Sequence, residues 1–240
     1  MPRAAIKDLT LSQLQGVIIN CRRCPRLVRY RERVAREKVR RYRSEEYWGR
    51  PLPSFGDPEA RLLIVGLAPA AHGGNRTGRM FAGDESGGWL IRALYENGFA
   101  NQPTSLHRND GLTLRDAYIT AAVRCAPPAN KPTPLEFLNC RPYLLQELKL
   151  LTHVQVVVAL GRIAFDACLK ARGLLGLAVP TPRPEFGHHR VHRLSGGVTL
   201  IASYHPSRQN TQTGKLTRPM LNAVLATARR ALNRSRAPRS

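Results

Sequence analysis

Acidic residues are scarce in this sequence of 240 residues. It contains 16 Asp and Glu against 38 Lys and Arg, which gives a formal net charge of +22 and a pI near 11.1. No acidic residue follows Glu185, and residues 22–43 hold eleven of the Arg and Lys. Such an excess of one sign predicts a polyanionic partner, and we expect nucleic acid. The alternative is a solvated basic surface without a specific partner.

Long apolar runs are also missing. No run reaches the roughly 18 residues that a membrane helix needs, and the first residues, Met1 to Ala4, lack the apolar segment of a secretory signal. We therefore expect a cytoplasmic, nucleoid-associated protein that is monomeric and does not contact a membrane. The sequence has only five cysteines, which in a cytosolic chain argues against a disulfide scaffold.

Short apolar runs alternate with helical patterns from residue 62 to residue 232. The runs predict four buried strands, at 62–66, 118–123, 154–160 and 198–203. Continuous apolar strands separated by helices favour a parallel sheet with helices on both faces. The expected fold class is α/β, as a three-layer α/β/α sandwich with a four-stranded parallel central sheet.

We expect a single domain over residues 1–232. Its first 50 residues form a basic segment that carries two cysteines, with helices predicted at 8–19 and 26–43. Residues 233–240 are expected to be a disordered basic tail, because chain ends without apolar anchors usually fray.

Four unusual segments follow the four strands, namely residues 66–84, 124–131, 161–162 and 204–215. A ligand of an open parallel sheet binds beyond the carboxyl ends of the strands. The four segments should therefore meet at one edge of the sheet, and we expect the functional site there.

The segment 66–84 is rich in glycine and alanine. Its small residues let the backbone approach a ligand, and the exposed N–H groups near Ala68, Pro69 and Ala70 can bind a phosphate or a base carbonyl. The pattern is neither GxGxxG nor a Walker A loop, so a nucleotide cofactor is weakly supported. Its two arginines, Arg76 and Arg79, are candidate DNA contacts. The alternative is a structural glycine-rich turn.

Two residues of these segments have side chains suited to catalysis. Asp84 precedes a helix, where it is either a simple N-cap or a charge that orients water and stabilises a cationic sugar. His205 lies just after a strand, where it can donate a hydrogen bond to a developing anion. The polar residues that follow it can reach phosphates and base edges, and the candidates are Ser207, Arg208, Gln209 and Asn210.

Four of the five cysteines have a spacing typical of a metal site. Cys21 and Cys24 form a CxxC pair. Cys125 comes just after a predicted strand, and Cys140 lies in a predicted helix. Four thiolates hold either zinc or an iron–sulfur cluster, and spacing alone does not decide between them. Unligated cysteines are the alternative, and Cys168 is expected in the core.

With these residues in view, the chain resembles the family 5 (type B) uracil-DNA glycosylases. The matching stretches cover nearly the whole chain, at 21–25, 55–58, 66–84, 121–133, 159–162 and 203–217. The resemblance implies a [4Fe–4S] cluster on Cys21, Cys24, Cys125 and Cys140. It also implies action on double-stranded DNA containing uracil, hypoxanthine, xanthine or ethenocytosine.

The resemblance also implies roles for individual residues. Asp84 matches the catalytic acid of the family, Asn130 a pocket amide and His205 the histidine of the site. Phe81 matches the aromatic residue that stacks on the extruded base. One departure is Ala82, where the family pattern has Thr, which puts a secondary contact in doubt.

The expected function is therefore a monofunctional DNA glycosylase that starts base excision repair. A non-catalytic iron–sulfur or zinc module that binds DNA is the alternative, although it leaves the segment 66–84 unexplained. An iron–sulfur nuclease is disfavoured, because nucleases usually need clustered acids for Mg²⁺.

Overall fold

The structure is a computed structural model, and it describes residues 8–234. Its strands, in chain order, are β1 (Phe55–Gly56), β2 (Leu62–Gly66), β3 (Ala117–Ala121), β4 (Val156–Leu160), β5 (Val191–Arg193) and β6 (Thr199–Ser203). They form one sheet in the order β1-β3-β2-β4-β6-β5. The four central strands are parallel, and the two edge strands run antiparallel to their neighbours.

The sheet therefore has six strands rather than the four we expected. The four expected strands form the parallel centre, where every residue is buried. The edge strands β1 and β5 are only two and three residues long and are partly exposed. Such short, half-exposed strands leave no hydrophobic period in the sequence, so the pattern did not reveal them.

The helices, in chain order, are α1 (Leu11–Ile19), α2 (Pro25–Glu37), α3 (Gly74–Thr77), α4 (Glu85–Glu96), α5 (Pro134–Leu150), α6 (Arg162–Leu174), α7 (Arg208–Gln212) and α8 (Arg218–Arg234). The Thr133 side chain and the Glu136 side chain cap the start of α5 reciprocally, as the sequence predicts. In residues 8–234, no helix combines the length and apolarity needed to cross a membrane.

Three helix boundaries differ from our expectations. The helix predicted at 8–19 begins only at Leu11, after the Thr10 side chain that caps it. The helix predicted at 26–43 ends at Glu37, because Lys38 takes a positive φ of 52° and breaks the hydrogen-bond ladder. The last helix extends through Asn233 and Arg234, which we had assigned to a disordered tail. The rest of that predicted tail lies outside the described residues.

Helices cover both faces of the sheet and confirm the three-layer α/β/α class. Along β2, Leu62 and Ile64 point into a core shared with α4 and α8, whereas Leu63 and Val65 point into a core shared with α6. This alternation follows from the two-residue period of a strand. A third cluster joins α1, α2 and α5 and attaches the N-terminal segment.

Candidate active site

The backbone at the start of the segment after β2 is hydrogen-bonded to the residues that follow β3. The N–H of Ala122 donates to the Gly66 carbonyl at 3.0 Å, and the N–H of Val123 donates to the Leu67 carbonyl at 2.9 Å. The Phe81 ring then folds back over Gly66, where a Cβ would lie only 3.2 Å from the ring. The Phe81 ring therefore packs directly on Gly66, and a side chain at position 66 would displace the ring.

His205 follows β6 and faces Phe81. The two ring centroids are 5.9 Å apart with an interplanar angle of 32°. The Asn210 amide donates to the His205 carbonyl at 2.8 Å, which fixes the start of this loop. Burial lowers the pKa of His205 to about 4, although part of the residue is accessible to solvent. Its imidazole is therefore neutral at pH 7 and can donate one hydrogen bond.

Asp84 is the N-cap of α4. One carboxylate oxygen accepts a hydrogen bond from the Gly87 N–H at 2.8 Å, which confirms the capping interpretation. The other oxygen, Oδ2, lies 1.9 Å from where a Cβ on Gly73 would be, so only glycine fits beneath the carboxylate. Burial raises the pKa of Asp84, and the Gly87 N–H opposes that shift. A carboxylate with a raised pKa is a better proton acceptor for water.

The loop after β6 also touches the start of α4. The Thr211 hydroxyl donates to the Glu85 carboxylate at 3.2 Å, and Arg208 pairs with the same carboxylate at 3.5 Å. Of the predicted DNA contacts in this loop, Arg208 and Gln209 are exposed and Ser207 is partly exposed. The segments after β2 and β6 thus meet at one edge, as we expect for segments that follow parallel strands.

The two arginines of the segment 66–84 are buried, which argues against their predicted contact with DNA. Arg76 donates to the His72 and Gly83 carbonyls at 2.8 and 2.7 Å and pairs with Glu45. Arg79 pairs with Asp110 at 2.7 Å, and both side chains are at most 6% exposed. Through these hydrogen bonds and ion pairs, the two buried guanidinium groups stabilise the conformation of the segment 66–84. The sequence showed the arginines but not their distant acidic partners.

The remaining predicted pocket residues lie on two backbone segments. Ala68 packs against the cluster formed by α1, α2 and α5, Pro69 is buried, and the Ala70 carbonyl accepts from the Asn75 N–H at 3.1 Å. Asn130 is exposed and has a positive φ of 56°. In the described chain, no hydrogen bond links its side chain to Asp84 or His205.

The four predicted metal ligands lie in one apolar cluster. Cys24, Cys125 and Cys140 are buried in it, and Cys21 packs against it. Burial raises the pKa of the Cys24 and Cys140 thiols and raises that of Cys125 to about 11. Within residues 8–234, no three or more His, Cys, Asp or Glu side chains are arranged to hold a metal ion.

A buried cation accompanies these thiols. The Arg31 guanidinium, 2% exposed, donates to the Cys125 sulfur at 3.1 Å, and its Nε has no hydrogen-bond partner among residues 8–234. The Asn139 amide donates to the Cys24 sulfur at 3.4 Å. Buried donors aimed at sulfur are suited to a site that carries negative charge.

Comparison with known proteins shows which family the chain is similar to. Residues 53–229 match the family model of the uracil DNA glycosylase superfamily. The chain is 55% identical over 210 residues to the type-5 uracil-DNA glycosylase of Thermus thermophilus, covering 88% of this chain and 93% of the relative. It is 50% identical over 211 residues to that of Pyrobaculum aerophilum, covering 88% of each.

A third relative is the type-5 uracil-DNA glycosylase of Mycobacterium tuberculosis. It is 49% identical over 222 residues, covering 92% of this chain and 81% of the relative. The chain therefore belongs to the uracil DNA glycosylase superfamily, and within it to the type-5 uracil-DNA glycosylases.

Proposed function

We propose that this protein hydrolyses the N-glycosidic bond of uracil in double-stranded DNA and so starts base excision repair. The observation that carries the proposal is that Phe81, His205 and the partly buried Asp84 lie at one edge of the sheet. An aromatic face, a neutral hydrogen-bond donor and a carboxylate are the groups that removal of a planar base by water requires. The names of the type-5 relatives support the same substrate.

A base inside the duplex stack is inaccessible, so the nucleotide must first turn out of the helix, at a cost of a few kcal/mol. Phe81 offers its ring as the stacking surface for the extruded base. Backbone N–H groups near Ala68 and Ala70 and the amide of Asn130 bind the polar edge of the base. Asn130 lies on an exposed turn, where it is free to meet a ligand that enters from solvent.

Bond cleavage then divides between two side chains. The bond from C1′ to the base nitrogen breaks, and its electron pair leaves with the base. The neutral His205 donates a hydrogen bond to the resulting base anion, which later takes a proton from solvent. The Asp84 carboxylate stabilises the cationic sugar and orients a water, whose oxygen forms the new bond to C1′ while one of its protons passes to the carboxylate.

The proposed substrate range includes other deaminated or altered bases, namely hypoxanthine, xanthine and ethenocytosine. The pocket wall supports this breadth, because small residues at 68, 70 and 71 leave room for a larger ring. Backbone N–H groups can bind a carbonyl on a purine or a pyrimidine alike. The proposal predicts that release of hypoxanthine and uracil depends equally on Asp84.

We also propose a [4Fe–4S] cluster held by Cys21, Cys24, Cys125 and Cys140. The buried Arg31 cation against Cys125 supports an anionic group there. When bound, the cluster would cross-link the N-terminal segment to the sheet. We expect this role to be structural, because glycosidic hydrolysis transfers no electrons. A brown protein with about four irons per chain is expected. A colourless protein containing zinc would contradict this assignment.

One assay distinguishes the proposed activity from the alternatives. A duplex with one uracil is incubated with the protein without added metal, and half of the sample is then treated with alkali. Free uracil with strand breaks only after alkali indicates a glycosylase. Breaks without alkali indicate a nuclease, and binding without either product indicates a non-catalytic module.

A further inference from the structure

The helix α2 has one apolar side and one side rich in arginine. Leu27, Val28 and Val34 are buried on the side that packs against the rest of the protein. The opposite side carries arginines at intervals of three and four residues, which places their side chains on one face of the helix. This arginine row consists of Arg26, Arg29, Arg33 and Arg36.

The arginine row carries charge that nearby acids do not neutralise. Arg33 pairs with Glu37 at 3.8 Å, and both side chains are more than half exposed, so this pair contributes little. Arg29 and Arg36 are exposed and have no ion pair or hydrogen bond within residues 8–234. Like charges four residues apart on a helix destabilise it by about 0.2–0.5 kcal/mol per pair. The row therefore does not serve the stability of α2, and its chemistry is that of a surface for an anionic ligand.

The helix α2 is fixed to both backbone segments that form the candidate pocket. Arg26 donates to the Lys131 carbonyl at 2.9 Å, directly after Asn130. From the segment 66–84, the Asn75 amide donates to the Arg31 carbonyl at 3.2 Å. These two hydrogen bonds hold the helix at separate points, so they set the position of the arginine row relative to the pocket.

A cleft of about 430 Å³ separates the arginine row from the segment that follows β3. It is lined by the row itself, by Tyr30 and Glu32 of the same helix, and by Pro128, two residues before Asn130. Glu32 is the carboxylate in this lining, and Arg22 pairs with it at 2.5 Å. The cleft is therefore cationic, and it borders the turn that carries the pocket amide.

We propose that the arginine row binds the phosphates that flank the extruded nucleotide, with Arg29, Arg33 and Arg36 as the contacts. This rests on the proposed function, because a nucleotide in the pocket stays covalently joined to its neighbours, whose phosphates must lie near the pocket entrance. From Arg29 to Arg36 the helix rises about 10 Å, which matches the rise of about three base pairs at about 3.4 Å each. The fork of a guanidinium group also suits bidentate contact with phosphate.

The test measures how the affinity for a duplex with an abasic site depends on salt, between about 50 and 200 mM. The Gln variant replaces three arginines of the row with an uncharged helix former, as Arg29→Gln, Arg33→Gln and Arg36→Gln. The Lys variant replaces the same three residues with lysine and keeps the charge. Binding is followed by fluorescence anisotropy, and thermal unfolding checks that each variant is folded.

A control variant removes three positive charges from the opposite edge of the sheet. Its substitutions affect exposed residues just before β3 and near the ends of α5 and α6. They are Arg115→Gln, Lys149→Gln and Lys170→Gln. The control and the Gln variant have the same net charge, so a difference between them reports the position of the charge rather than its sum.

Each lost phosphate contact should lower the slope of log affinity against log salt by about 0.9. The Gln variant should therefore have a slope lower by about 2–3 and bind at least about tenfold more weakly at about 0.1 M salt. The Lys variant should bind within about threefold of the wild type, because an ammonium group also neutralises a phosphate. The control variant should match the wild type in slope.

An unchanged slope in the Gln variant would overturn the proposal and leave the row to an acidic protein partner. An equal fall in the control variant would overturn it as well, because net charge alone would then explain the effect. Release of uracil by the wild type is measured separately. Its absence would refute the proposed function, and with it the assignment of the bound phosphates to an extruded nucleotide.

Discussion

Replacing Gly73 with alanine is expected to disable Asp84 without changing the carboxylate itself. The new Cβ would lie 1.9 Å from Oδ2 of Asp84 and 2.7 Å from its Cγ, whereas real contacts of this kind are almost never below 3.0 Å. The carboxylate must therefore retreat by about 1 Å. Because the obstructing atoms belong to a side chain that can rotate, the protein should still fold.

A displacement of about 1 Å in a catalytic group costs on the order of 100-fold in rate, which corresponds to about 2.7 kcal/mol of transition-state stabilisation. We therefore expect Gly73→Ala to slow single-turnover excision of uracil by about 100-fold. Its affinity for a duplex with an abasic site should stay close to that of the wild type, because Gly73 is buried beneath the carboxylate.

Gly88→Ala is the matched control. A Cβ on Gly88 would meet nothing within 4 Å, and the residue lies in the first turns of the same helix. Alanine there should stabilise α4 by about 0.5–1 kcal/mol and leave excision unchanged. If Gly73→Ala folds normally and still excises uracil within about threefold of the wild type, the position of Asp84 is not critical and the reasoning fails.

Two further predictions concern ionisable side chains that lie away from solvent. Asp110→Asn removes the partner of the buried Arg79 and should lower the free energy of unfolding in urea by about 3–5 kcal/mol. Asp166→Asn, in an exposed pair with Arg183, should lower it by less than about 1 kcal/mol. Equal losses would show that the buried pair does not brace the connection between α4 and β3. The pKa of His205 is about 4 in the folded protein against 6.5 ordinarily, so the unfolded chain takes up the proton first as pH falls. His205 should therefore destabilise the wild type by up to about 3 kcal/mol between pH 6.5 and pH 4. His205→Gln should lack this part of the loss, and an unchanged pH dependence in the variant would contradict the shifted pKa.

The parallel centre of the fold was predictable because its strands are continuous apolar runs. Leu62 to Val65 can only be a buried segment, and the glycine that follows marks its end. The edge strand Phe55–Gly56 has no such signature, since two half-buried residues form no pattern. The β-α alternation makes the central strands parallel, so their carboxyl ends share one edge of the sheet, and this correctly brought Asp84 and the loop after His205 together.

The roles of charged residues were harder to predict because they depend on partners distant in sequence. Arg79 looked like a DNA contact until the structure placed Asp110 against it. The path of the connection between α4 and β3, residues 97–116, was missed for a related reason. This connection is polar and rich in turn-forming residues, so nothing in the sequence indicates that the Ser105 carbonyl returns to accept the Gly83 N–H. Asn130 remains a prediction that rests on the family resemblance.

The most direct test of the account is single-turnover release of uracil from duplex DNA by the wild type and by Asp84→Asn. Asparagine keeps the shape and the capping oxygen of Asp84 but cannot carry its charge. We expect release by the wild type without added metal. The variant should lose most of that release while it binds abasic DNA as tightly as the wild type. Equal release by the two proteins would contradict the catalytic role of Asp84 at this edge of the sheet.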